Sequence, residues 1–77
     1  MVHAFVMVKT AVGVSESLID TVRELPAVTE AHIVAGEFDL IVEIGSDEVY
    51  EVLQTTTGEI QSLDGVEETK TYISLEE

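Results

Sequence analysis

The segment from Val2 to Val8, running on to Lys9, reads as a strand that is apolar on both faces, and few folds can hold such a strand. Strand alternation puts Val2, Ala4, Val6 and Val8 on one face and His3, Phe5, Met7 and Lys9 on the other. An antiparallel sheet can leave one face to water, but Phe5 and Met7 make the second face a poor surface to solvate. Helices of the same chain can cover one side. The other side then calls for a second sheet, and Phe5, Met7, Ile41 and Val34 are the residues expected at that contact.

The remaining periods supply the helices and the other strands. After the small-residue turn Thr10-Ala11-Val12-Gly13, Ser15 is placed to cap a helix running through Leu25, with Leu18, Ile19, Val22 and Leu25 on one face and Pro26 as its stop. A strand from Val28 to Val34 turns at Gly36 and pairs with a strand from Phe38 to Ile44 as a hairpin. Ser46 or Asp47 then caps a second helix, whose inward stripe is Val49, Leu53, Thr56, Ile60 and Leu63 and which Gly58 weakens. Asp64-Gly65 ends it, and Val66 to Leu75 forms the last strand. The order β-α-β-β-α-β predicts an α+β, ferredoxin-like fold: a four-stranded antiparallel sheet with both helices on one face, dimerising through the other.

Composition narrows the function. A chain of 77 residues makes a small core, which association between copies commonly completes. Sixteen acids against Lys9, Arg23 and Lys70 give a net charge of -13, yet 45% of the residues are hydrophobic, so the chain is a folded domain and not an acidic tail. Three isolated cations cannot neutralise a run of phosphates, which argues against direct nucleic-acid binding. The acid excess predicts a protein suited to a salty cytoplasm, as in a halophilic archaeon or bacterium. The chain has no cysteine, no signal peptide and no run approaching a membrane span, in keeping with a cytoplasmic protein. Catalytic motifs are missing too: there is no P-loop, no H-E-x-x-H and no Ser/His/Asp constellation, so neither an enzyme nor a cofactor is expected. His3 and His32 lack the spacing of a zinc site, and no metal is expected.

Asp39 is the unusual residue of the Gly36-to-Ile44 hairpin arm. Alternation sets Phe38, Leu40, Val42 and Ile44 on one face and Asp39, Ile41 and Glu43 on the other, leaving a carboxylate beside a glycine turn. Taken alone, such an Asp accepts a backbone N–H and stabilises its turn. The pattern Gly36-Glu37-Phe38-Asp39, followed one helix later by Leu63-Asp64-Gly65-Val66 and by Thr69-Lys70-Thr71-Tyr72, resembles the effector-binding (RAM) domain of the Lrp/AsnC transcriptional regulators along nearly the whole chain. The family's usual helix-turn-helix would need about fifty more residues ahead of Met1, so the chain reads as a stand-alone RAM domain spanning residues 1–77.

The resemblance implies a free amino acid as effector, lodged at Gly36, Glu37, Phe38 and Asp39 with Thr69 and Thr71 completing the pocket. It also implies sheet-to-sheet dimers, commonly joined four to a ring with the effector between them. Without its own DNA-binding half, the chain would act by oligomerisation or by assembling with full-length Lrp/AsnC regulators. The competing expectations are a small dimeric αβ-barrel enzyme and a purely structural oligomer without a ligand.

Overall fold

The computed structural model describes residues 1–76. Its elements are β1 (Val2–Thr10), α1 (Ser15–Arg23), β2 (Val28–Ile33), β3 (Leu40–Ser46), α2 (Val49–Leu53) running into a π-helical segment (Gln54–Ile60), and β4 (Val66–Ile73). The four strands form one antiparallel sheet in the order β2-β3-β1-β4, the ferredoxin-like arrangement that the strand and helix periods predict. No helix among the described residues is long and apolar enough to cross a membrane.

The core lies between the helices and one face of the sheet. Ala4, Val6 and Val8 of β1, Ala31 of β2 and Leu40, Val42 and Ile44 of β3 meet Leu18, Ile19 and Val22 of α1 and Val52 and Ile60 from the second helical stretch. Every second residue is buried from Ala4 onward in β1 and throughout β3, as a half-covered strand requires. β2 is an edge strand, and Arg23 seals part of that edge by donating from Nε and Nη2 to the Ala31 carbonyl, at 3.2 and 2.9 Å.

The helix ends differ from expectation for local reasons. Val14, not Ser15, occupies the cap of α1. Its carbonyl accepts the Leu18 N–H at 3.1 Å and the Ser17 hydroxyl at 2.9 Å, while its side chain packs against the core beneath Gly65. α1 closes at Arg23, two residues early, because the Glu24 and Leu25 N–H groups turn to carbonyls three residues back as the chain approaches Pro26. Glu48 holds the cap position of α2; the Ser46 hydroxyl supports it by accepting the Glu48 N–H at 3.2 Å and donating to the Glu51 carboxylate, and Asp47 takes no part.

The second helix also buries a different stripe. Val52, Thr55, Thr56 and Ile60 face inward and Leu63 is half-buried, whereas Val49 and Leu53 are 46% and 44% exposed. Thr55, Thr56 and Thr57 each donate a hydroxyl to the carbonyl four residues back, at 3.0, 3.0 and 2.7 Å. Those carbonyls are the acceptors an α-helix would use, so the ladder widens, and the Gln61 N–H reaches Thr56 O, five residues back, at 3.0 Å. The wider turn breaks the 3.6-residue period on which the expected stripe depended.

On the far side of the sheet no element among the described residues covers Phe5, Met7, Ile41 and Tyr72. Met7 pairs with Ile41 on one flank and Lys70 on the other; Phe5 pairs with Glu43 and Tyr72. His32 stands beside Ile41 and Glu30 beside Glu43, joined by a 3.1 Å contact from His32 Nε2 to Glu30 Oε1. The open face is therefore an apolar centre within a charged margin.

Candidate functional site

The connection from β2 to β3 is held at its ends and open between them. The Val34 N–H donates to Asp39 O at 2.9 Å and closes the loop. Asp39 then fastens the loop to the end of β1 twice: its N–H donates to Val8 O at 2.9 Å, and its Oδ2 accepts the Thr10 N–H at 2.9 Å. Among the described residues, the N–H groups of Ala35, Gly36, Glu37 and Phe38 have no partner within the chain. Asp39 thus does what a turn-proximal Asp does on elementary grounds, and a run of free donors stands next to it.

Two expectations for this turn change. β3 begins at Leu40, so Phe38 lies outside the ladder and does not share the buried face of Leu40, Val42 and Ile44. Its ring instead sits 5.8 Å from Lys70 Nζ, and Lys70 pairs with Met7 on the open face. Gly36 has no positive φ, and a Cβ built on it meets nothing within 4 Å, so the folded chain itself does not demand glycine here.

Thr69 and Thr71 stand opposite Val8 and Val6, on the helix side of the sheet, and Tyr72 points to the open side opposite Phe5, as alternation predicts. The Gln61 amide donates to Thr69 Oγ1 at 2.7 Å across a groove of about 300 Å³ lined by Gln61, Val66, Glu67, Glu68 and Thr69. Within one chain, then, Gly36, Glu37, Phe38 and Asp39 gather at the end of β1 while the two threonines lie on the other side of the sheet. The expected contact residues do come together: Phe5, Met7 and Ile41 are contiguous on the open face, and half-buried Val34 follows β2 at its corner. Sequence reasoning missed Thr10, Gln61 and Lys70. Alternation alone would have found Lys70, since the residue between Thr69 and Thr71 must point away from both.

Comparison with known proteins agrees with this fold. The family model described as the Lrp/AsnC ligand binding domain matches residues 3–77. An uncharacterized HTH-type transcriptional regulator of Pyrococcus abyssi is 30% identical over 57 residues, 74% of this chain but 38% of its own length, so the chain spans little more than a third of that curated relative. A crystal structure of a Thermus thermophilus protein superposes with a TM-score of 0.94 at 32% identity, covering 100% of this chain and 96% of that one. A transcriptional regulator of Neisseria meningitidis, solved in complex with L-Met, shares the fold with a TM-score of 0.86 at 20% identity, over 99% of this chain and 51% of that chain. The chain belongs to the Lrp/AsnC family, in which it corresponds to the ligand binding domain.

Proposed function

We propose that this domain senses a free amino acid at the Gly36–Asp39 turn and passes the signal on through its state of assembly. The observation that carries the reading is the turn itself: a carboxylate anchored through one oxygen, beside four backbone N–H groups with no partner among the described residues. A carboxylate suits an α-ammonium, and free amides suit an α-carboxylate. The L-Met complex of the Neisseria relative supports an amino acid as the ligand class. The open sheet face supports pairing with a second copy through Phe5, Met7, Ile41 and Val34, and such pairs are suited to join into a ring or to combine with full-length Lrp/AsnC regulators inside the cell. Ligand then shifts the balance between assemblies that it fits unequally. Thr69 and Thr71 enter such a pocket only from another protomer, because their own turn lies across the sheet.

Titration calorimetry of the dialysed protein against the twenty amino acids tests the reading, with Asp39 as the probe. Asp39→Ala should lose thirtyfold or more in affinity, the effect of removing an ion pair costing about 2–5 kcal/mol. It should also cost about 1–3 kcal/mol of stability, since the Thr10 N–H would lose its acceptor at a buried residue. Asp39→Asn separates the two roles: its side-chain carbonyl still accepts the Thr10 N–H, so stability should recover while affinity stays low. Normal affinity in Asp39→Asn would assign the residue to the hairpin alone.

Salt dependence tests the expected adaptation to a salty cell interior. The Debye length falls from about 30 Å at 0.01 M salt to about 3 Å at 1 M. The longest extent of the chain is 34 Å, so at low salt nearly all of its excess acids repel one another. The melting temperature should rise over that range by about 4–8 °C, the equivalent of roughly 1 kcal/mol in a domain of this size. A flat series of potassium chloride melts would count against that adaptation and leave the fold untouched.

A further inference from the structure

A protein with sixteen acids and three basic side chains repels anions over most of its surface, so the positions of its cations decide where a carboxylate can dock. Arg23 is engaged with the Ala31 carbonyl at the β2 edge. Lys9 and Lys70 lie on the open face, beside the Gly36–Asp39 turn. Lys9 stands between Val8 and Thr10, the two residues that hydrogen-bond to Asp39, and it points to the open face because both neighbours are buried on the other. Lys70 is the cross-strand partner of Met7, one step along the same face, with its ammonium 5.8 Å from the Phe38 ring.

Neither lysine is neutralised by a described residue. Among the described residues no carboxylate comes within 4 Å of either ammonium, although Glu68 is the strand partner of Lys9 and Glu37 adjoins Phe38. In so acidic a chain, two lysines with no ion-pair partner among the described residues stand out beside the same turn. The Phe38 ring holds the Lys70 ammonium near that turn without consuming its charge.

We infer that Lys70, with Lys9 behind it, adds a charged anchor for the ligand's α-carboxylate to the free N–H groups of the turn, while Asp39 holds its α-ammonium. The inference deepens the amino-acid reading and rests on it. It restricts the ligand to compounds carrying both a free carboxylate and a free amine, since a cation alone meets only Asp39 and an anion alone meets only the lysines and the free N–H groups of the turn. Lys70 is chosen over Lys9 as the principal anchor because Phe38 fixes its position, whereas Lys9 has Glu68 across from it.

Calorimetry at one fixed ionic strength with the twenty L-amino acids and their carboxamides tests the assignment, since a carboxamide keeps the amine and lacks the carboxylate charge. In the parent protein the best-binding amino acid should be at least tenfold tighter than its carboxamide. Lys70→Gln should weaken the amino acid about tenfold and leave the carboxamide unchanged, so that the preference collapses; Lys70→Arg should retain it. A preference that survives intact in Lys70→Gln overturns the anchor while the amino-acid reading stands. Failure of every amino acid to bind the parent protein overturns both.

Discussion

Phe5→Asp should leave the protein monomeric at concentrations where the parent chain is paired, weakening self-association about a thousandfold or more. Phe5 stands near the centre of the uncovered face between Glu43 and Tyr72, and it remains 36% exposed in the single chain. Burying a phenylalanine completely is worth about 1.5–3 kcal/mol. Phe5 is already largely covered by its own chain, so a partner supplies roughly a third of that, counted twice in a twofold contact. The substitution forfeits that gain and places a new carboxylate next to Glu43 in the same cross-strand row, where like charges oppose each other. Buried there unpaired, that carboxylate would cost each copy several kcal/mol more. A loss of about 4 kcal/mol already corresponds to about a thousandfold in dissociation constant. Sedimentation at several concentrations measures it. Tyr50→Asp is the control, because Tyr50 is 68% exposed on α2, away from the sheet face, and its loss should leave association unchanged. Pairing that survives Phe5→Asp would place the contact somewhere other than this face.

That face was legible in the sequence because it depends on a period of two and on nothing distant. Phe5 and Met7 alternate with Ala4, Val6 and Val8, Ile41 alternates with Leu40 and Val42, and the structure keeps each on its expected side. The turn was legible in place but not in orientation. Phe38 continues the alternation of β3 on paper, yet Asp39 takes hydrogen bonds from and to β1, one of them with Thr10, 29 residues away. A bond between residues so far apart leaves no trace in local periodicity, and it is what ends the ladder before Phe38. The second helix failed for the opposite reason, a local signal passed over. Three consecutive threonines, each able to bond four residues back, were the warning that a 3.6-residue stripe through Val49 and Leu53 would not hold. The two threonines of β4 fell on the expected strand face, but which side of the sheet that face meets depends on the register with β1, and only the fold fixes it.

The glycines divide in the same way, and the division predicts a large stability change. Gly65, not Gly36, is the position that cannot accept a side chain. Its φ is +97°, a region that costs an L-residue about 1–2 kcal/mol, and a Cβ there would stand 2.6 Å from Val14 Cγ1 and 3.6 Å from Leu18 Cδ1. Val14 cannot readily yield, because it caps α1 and packs against the core, and the Gly65 carbonyl is itself tied to the Ala11 N–H at 2.8 Å. Gly65→Ala should therefore destabilise the domain by about 2–4 kcal/mol, adding the steric cost of an overfilled contact to the backbone cost. That lowers the melting temperature by about 10 °C or more, at about 4–8 °C per kcal/mol for a domain of this size. Gly36→Ala, with no positive φ and no atom near its Cβ, should change stability by less than about 1 kcal/mol. The double variant Gly65→Ala with Val14→Ala resolves the two causes. Removing Cγ1 relieves the collision but not the dihedral strain, so its loss should be smaller than the sum of the two single losses. Strict additivity would mean that Val14 moves aside freely and that the backbone alone demands glycine at this junction.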